Sequence, residues 1–525
     1  MSTSFNPKIA VKAPNRNKYN LSYYSRLTSR MGELVPVLCK KIVASDEFKV
    51  SISAITRLAP LANPVYDRLR IDYDAFFVQN RIIDPQFKEF LTGGIGLYAE
   101  TSTEGMHNIT LSMPSKLFTS GRLSDYLGLN LQGNVGDDQV IVNAEPFLGY
   151  LKIYSDWYRN ERFQYDFYSI VVNDYMKDRK IVYSTAHHTW EWFSSLQRRN
   201  YFKDPFTTAL SEPLIGGPIP VMTGMAPIKP VDGVEFNSVN VSYFSTGESN
   251  SSVKTSPGDH ALMADLSAVA SNTVQQLNQM YALYKFFMRD TYNGNRYVEF
   301  VQSHFNVTVP DSTLERPLFL GRYTQNVAFS EIFQTSGSTA QGNTLGDYAG
   351  KGASVGGGFL FHEKFLEHGY LYVIMSIVPE STYFQGVDSK FFYGDRFDSF
   401  YFPEFQNIGD TGIPMESLFH DPAQNDLSFS KVNENTFGFQ RRNWDLIWYP
   451  NELHGDFTVD TSMLNWTFAR KFADAPTLGS DFSTVPTINN PFTYQDASSQ
   501  NFFTDIYFDI QALRPVERYE SITTH

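Results

Sequence analysis

The stretch Val-Tyr-Asp-Arg-Leu-Arg-Ile-Asp-Tyr-Asp-Ala-Phe-Phe, Val65 to Phe77, decides the fold class. Val65, Leu69, Ile71, Tyr73, Ala75 and Phe77 fall on one side, and Arg68, Arg70, Asp72 and Asp74 on the other. Successive side chains of a strand leave opposite faces, so this alternation predicts a half-buried β-strand. Working outward, residues 34–58 read as two further strands with the polar stretch Ala44-Ser45-Asp46-Glu47 between them. Gly369 to Val378 is a nearly continuous apolar run, as a strand buried on both faces requires. Near the end, Ile506, Phe508, Ile510 and Ala512 alternate with Tyr507, Asp509 and Gln511. Strands close to both ends of the chain predict a sheet system that starts and finishes in the same layer.

Helices interrupt this pattern. Asn143 suits an N-cap for a helix that places Phe147, Leu151, Tyr154 and Tyr158 on one face. A second helix is expected at about 190–199. A third is expected over roughly 261–290, where Leu262, Leu266, Val269, Leu277, Met280, Tyr284 and Phe287 keep helical spacing. Residues 216–260 are rich in Gly, Pro, Ser, Thr and Asn and read as a β-loop excursion; Ser336 to Gly358 reads as a long Gly-rich loop. The fold class is mainly β, a sandwich carrying long helix- and loop-bearing insertions.

Composition fits a protein that buries surface against other copies of itself, and it fits a β-rich enzyme or binding module equally well. Phe and Tyr number 44 and 31, and aromatics reach 15% while charged residues are only 19%. Such rings give large rigid contact area for little lost rotamer freedom. Cys39 is the only cysteine, so no disulfide forms within the chain and a reducing compartment is the natural setting. No apolar signal segment opens the sequence, and Leu371 to Val378 is too short to cross a membrane, so a soluble protein without membrane insertion is expected. Residues 1–41 carry eight cations and one anion, which leaves −20 on the remainder of a chain whose net charge is −13. A basic arm on an acidic body suits contact with phosphates, and it also suits a plain solvated tail.

Catalytic and metal motifs are thin. His362, Glu363 and His368 miss zinc-protease spacing, because the second His lies six residues on and not four. His187, His188 and Glu191 bring no third ligand by spacing. Around Gly350-Lys351-Gly352 the phosphate-loop pattern fails at Leu345 and again at Gly352. Asp388, Asp395, Asp398 and Glu404 lack calcium-loop spacing and read as turn carboxylates. No catalytic residue, metal or cofactor is implied. The competing class is a carbohydrate-binding β-sandwich or glycoside hydrolase, with Trp190, Trp192, Trp444 and Trp448 as its sugar platform.

Ordered phrases along the chain resemble the major capsid protein of the Microviridae, in its gokushovirus-like branch. They include Asn20 to Tyr24, Met31 to Pro36, Ser53 to Pro60, Phe76 to Arg81 and Glu89 to Gly94. Lys152 to Arg159, Asp204 to Leu210, Arg296 to Glu299, His304 to Val307 and Arg316 to Gly321 continue the series. Glu367 to Tyr370, Ser381 to Gly386, Phe402 to Phe405 and Asp509 to Pro515 complete it. Pro205, Asn306 and the ending Glu520 to His525 depart from the family pattern.

The resemblance implies a viral jelly roll, built into pentamers and a T=1 icosahedral shell around circular single-stranded DNA. Identical subunits, the packaged DNA, a small basic DNA-packaging protein and a host surface receptor are the partners it implies. The location is the virion, assembled in the cytoplasm of a bacterial host. On that reading residues 1–30 form a basic arm facing the interior, with Lys8, Lys12, Arg16 and Lys18 on phosphates and Tyr19, Tyr23 and Tyr24 beside bases. Residues 31–215 hold the first part of the jelly roll with helical insertions, and 263–525 hold the remainder. Residues 216–262 are expected to be an inserted surface protrusion, with Phe236, Tyr243 and Phe244 as contacts. Gly346 to Gly358 would let the backbone approach a neighbouring subunit closely.

Overall fold

The computed structural model describes residues 16–92, 108–131, 136–175, 179–182, 189–213, 228–230, 262–264, 274–293, 296–311, 313–330, 351–406, 409–459 and 463–516. The chain divides into two compact units. One is Met1–Pro213 with Asn295–Gln302 and Asn306–His525; the other is Leu214–Gly294 with Ser303–Phe305.

Eight antiparallel strands organise the first unit. They are β1 (Tyr23–Ser29), β2 (Val35–Ile42), β3 (Glu47–Leu58), β4 (Leu69–Gln79), β5 (Leu318–Asn326), β6 (Lys351–Lys364), β7 (Gly369–Pro379) and β8 (Phe502–Arg514). One sheet has the order β1-β8-β3-β6 and the other β2-β7-β4-β5. The chain thus changes sheet at nearly every step, and two four-stranded sheets linked this way make a jelly roll. Asn17–Asn20 prolong the β1 edge against Gln511 to Arg514, so the first and last strands are neighbours in one layer, as their sequence positions predict.

The alternation in β3 and β8 explains the core between the sheets. Phe48, Val50, Ile52, Ala54 and Leu58 point inward from β3, and Phe502, Ile506, Phe508, Ile510 and Ala512 from β8. Each large side chain removed from water contributes about 1.5–3 kcal/mol. The facing sheet supplies Ile71, Tyr73, Ala75 and Phe77 from β4, and Leu371, Val373, Met375 and Ile377 from β7.

The structure corrects the reading of Val65 to Phe77. The strand starts at Leu69, and it is buried on both faces. Its second face lies under residues 109–200, which build a core of their own from Phe147, Leu148, Leu151 and Ile153 against Phe76, Val78, Tyr372 and Ile374. The principal element there is helix α1 (Glu145–Ile153), which runs into a π-turn at Tyr154–Tyr158. Phe147, Leu151, Tyr154 and Tyr158 are buried as their spacing predicts, and Leu148, Tyr150 and Ile153 are buried too. Ala144 is the capping residue, while the Asn143 side chain accepts the Glu145 N–H at 3.0 Å.

Two other helix readings change. The helix expected at 190–199 is Thr189–Ser194, because Arg198 and Asn200 leave it to bridge Glu33 and Thr484. The long helix is α2 (Val274–Asn293); Leu262 belongs instead to a short strand, Leu262–Ala264, paired with Ile228–Pro230, and Leu266 and Val269 lie outside the described residues. Apolar spacing alone does not separate a helix from a short pairing strand.

Burial of the second face of β4 leaves Asp72 and Asp74 in the interior, 1% and 0% exposed. Both are matched by cations. Asp72 meets Arg199 at 2.9 Å and Arg70 at 2.8 Å, and accepts the Thr324 hydroxyl at 2.7 Å. Asp74 takes two hydrogen bonds from Arg322 and one from the Tyr158 hydroxyl at 2.6 Å. Burial pushes the Asp72 carboxyl up, but Arg199, Arg70 and Thr324 outweigh it and hold the group below its ordinary range. Burial, then the Asp74 charge, pushes the Tyr158 phenol far above its usual value, so it stays a donor. Arg199 and Tyr158 come from the insertion, so these bonds fasten it to the sheet.

Removing one partner of a buried pair strands the other charge, at a cost of about 3–5 kcal/mol. Arg199→Met is therefore expected to lower the urea-unfolding free energy by about that amount. Arg26→Met, on an exposed pair, should stay within about 0.5 kcal/mol of the parent.

Candidate assembly and nucleic-acid interface

The two sheets differ in what covers them. Among the described residues the β2-β7-β4-β5 sheet has core on both sides, whereas the β1-β8-β3-β6 sheet has core on one side only. Its other face follows from the strand register. Tyr24 stands opposite Tyr507, Asp505 lies between Arg26 and Ile55, and Phe503 lies between Thr28 and Arg57. Val355 continues the Ile55 row. The face is aromatic and open: Tyr24 is 67% exposed, with its ring 4.8 Å from that of Tyr507, and Val355, Phe359 and Phe503 are also exposed. By the same alternation Lys18, Arg26, Lys49, Arg57, Lys351 and Lys364 point outward, against Glu47, Asp505 and Asp509. An excess of cations here contrasts with the chain's net −13. Beside β1 a cavity of about 700 Å³ opens, lined among others by Arg26, Arg57, Asp125, Tyr126, Phe503 and Asp505.

The residues singled out in the sequence fall as follows. Lys8 and Lys12 lie outside the described residues. Arg16 pairs with Glu47 at 3.2 Å, and the Tyr19 hydroxyl donates to the Val516 carbonyl at 2.9 Å. Lys18 is exposed on the Asn17–Asn20 strand. Tyr23 and Tyr24 are adjacent and therefore part: Tyr24 joins the open face, while Tyr23 turns in against Phe508, 5.5 Å between centroids. Burial, helped by Cys39, raises the Tyr23 phenol to about 12. Residues 17–29 are sheet edge along most of their length. Arg26, Lys49, Arg57, Phe503 and Tyr507 were missed, although the outward positions of β3 and β8 could be read from the same alternation that revealed their cores. Phe236, Tyr243 and Phe244 lie outside the described residues.

Other candidates resolve into structure. His362 Nε2 lies 3.0 Å from Glu47. Asp388 and Asp395 accept backbone N–H groups two and three residues ahead, as turn carboxylates do. Trp444 is buried against Phe206, which Trp448 also touches edge-on, and Trp192 stacks on Phe167 at 4.5 Å. These rings pack; they form no sugar platform. The Trp190 side chain, His187 and His188 lie outside the described residues. Among the described residues no helix is long and apolar enough to cross a membrane.

From residue 8 to residue 523 the sequence matches the family model described as Capsid protein (F protein). The chain belongs to this capsid protein family. It is 26% identical to the capsid protein VP1 of Chlamydia phage 1, over 96% of this chain and 95% of that protein. It is 27% identical to the capsid protein VP1 of Bdellovibrio phage phiMH2K, with 96% and 94% covered. For the capsid protein VP1 of Spiroplasma virus 4 the identity is 24%, with 96% and 95% covered. The resemblance to microvirus capsid proteins therefore holds along the chain. The function is structural, in a virion built with identical subunits, and the enzyme and carbohydrate readings have no support.

One correction concerns the Gly-rich segment. From Lys351 it is strand β6, not loop; residues 331–350 lie outside the described residues. Two of its glycines also make room within the subunit. A Cβ at Gly358 would sit 2.8 Å from the Tyr323 ring, and one at Gly356 would sit on the Tyr323 hydroxyl. The missing side chains make a slot for that ring between β5 and β6. Gly358→Ala is expected to destabilise the fold by about 1–3 kcal/mol through overpacking. In a Tyr323→Ala background its cost should shrink, a non-additivity that a double-mutant cycle of denaturant unfolding measures.

Proposed function

We propose that this capsid protein assembles through pentamers into a T=1 icosahedral shell enclosing circular single-stranded DNA. The observation that carries the genome contact is the open face of the β1-β8-β3-β6 sheet, where exposed rings and cations share one surface. Single-stranded nucleic acid is held by such a combination, bases stacking on aromatics and phosphates meeting Arg and Lys. The DNA-facing set is Lys8, Lys12, Arg16, Lys18, Tyr19 and Tyr24, extended by Arg26, Lys49, Arg57 and Phe503; Tyr23, turned in against Phe508, leaves it. Its charge is modest against a genome, which favours a separate small basic packaging protein. Residues 216–262, with Phe236, Tyr243 and Phe244, act as a surface protrusion that meets the host receptor. That this segment falls in the second compact unit, Leu214–Gly294 with Ser303–Phe305, supports the reading. Assembly takes place in the cytoplasm of the bacterial host.

Electron microscopy of the purified protein tests the shell: uniform small icosahedral particles are expected, and single subunits at every concentration would refute it. Reversing Lys12, Lys18 and Arg57 to Glu is expected to leave assembly intact while packaged DNA falls severalfold and its salt sensitivity weakens. Unchanged packaging and an unchanged salt slope would remove the open face from the genome contact. Replacing residues 231–261 by a short Gly-Ser linker should give particles that assemble but attach poorly to host cells. Failure to assemble would count against the protrusion.

A further inference from the structure

Outside the sheets, strongly exposed apolar side chains concentrate in two segments, residues 391–400 and 446–449. Phe391, Tyr393, Phe400, Leu446, Ile447 and Tyr449 are each 56–81% exposed. They come from two segments held together. The Ser389 hydroxyl donates to Asp445 at 2.9 Å, and Arg442 stacks over Phe405 at 5.8 Å. Phe397 anchors the first segment by packing on Phe402 and Phe405, at 5.9 and 5.6 Å. The polar groups around the ridge are already engaged: Asp388 accepts the Lys390 N–H and pairs with its ammonium at 2.8 Å, and Asp395 caps the turn at Arg396–Ser399.

We propose that this ridge, residues 391–400 with 446–449, is a seat for a second copy of this chain. Three observations choose that occupant. A fully exposed large side chain presents about 150–250 Å², so the six together offer on the order of 700 Å². That is far above an isolated surface hydrophobe and close to the roughly 800 Å² that each partner of a stable interface buries. An apolar centre inside a rim of satisfied polar groups is the anatomy of a permanent homomeric contact. The local charge excludes nucleic acid, because Asp388, Asp395, Asp398, Glu404 and Asp445 outnumber Lys390, Arg396 and Arg442. The inference rests on the shell reading and names a surface that builds it.

Phe400→Asp with Tyr449→Asp in the full-length protein provides the test. Both sites are exposed, so circular dichroism and the melting temperature should match the parent, while velocity sedimentation should show shells replaced by small species, at least tenfold in yield. A second measurement does not depend on that variant folding. Cys39 is the only cysteine, and burial pushes its thiol up to about 12, so it gives little background with maleimide. Tyr449→Cys should label quickly in dissociated subunits and at least tenfold more slowly in shells. Equal labelling in both, or parental shell yield from the double Asp variant, overturns the proposal. A parent that forms no shells refutes the shell reading itself, whatever the variants do.

Discussion

Two carboxylates on the central strand β4, Asp72 and Asp74, sit where water cannot reach, and the fold depends on matching them. An unpaired buried charge would be prohibitive, so Arg199, Arg70, Arg322, Tyr158 and Thr324 must converge on that strand from distant parts of the sequence. Such a network adds less net stability than the same volume of apolar packing. Its effect is positional: the insertion from 109 to 200 has one place on the sheet where Arg199 and Tyr158 find their partners. The ring cluster of Phe76 with Trp157 and Phe319 packs beside it, so dispersion and ion pairing fix the same register.

Covering one sheet twice and the other once makes the subunit unequal on its two sides. The doubly covered sheet is scaffold, with β7 buried at all of its residues. The singly covered sheet keeps an open face on which aromatic and basic residues alternate with the core positions of the same strands. A structural protein needs both: a body rigid enough to present surfaces accurately, and surfaces left unsatisfied until a partner arrives. The apolar ridge at 391–449 is of the second kind, and its acidic rim sets it apart from the basic sheet face. Opposite local charge on two exposed apolar surfaces suits them to different classes of partner.

Much of the jelly roll was legible residue by residue. The two strands read in 34–58 are β2 and β3, and the period-two run Ile506 to Ala512 gives the inward side chains of β8 correctly, because that strand faces water on one side. Ordered phrases such as Phe76 to Arg81 and Asp509 to Pro515 carried the family. The candidate surfaces were half legible. Tyr24 was singled out, but its neighbours on the face come from strands hundreds of residues away, and only the register of β1 with β8 and β3 brings Arg26, Arg57 and Phe503 beside it. Gly356 and Gly358 of β6 make room for the Tyr323 ring, which no local pattern could locate because it comes from a strand of the other sheet.

By itself the sequence determined the class of fold, the strands β3 and β8 and the family, since local periodicity and phrase order are written in adjacent residues. Only the tertiary structure decided that Asp72 and Asp74 are interior, that the Gly-rich segment is a strand, and which exposed side chains form one surface. The physical reason is the same each time: whether an alternating polar residue meets water or an arginine depends on what is laid over the strand, and that covering is folded from a remote part of the chain.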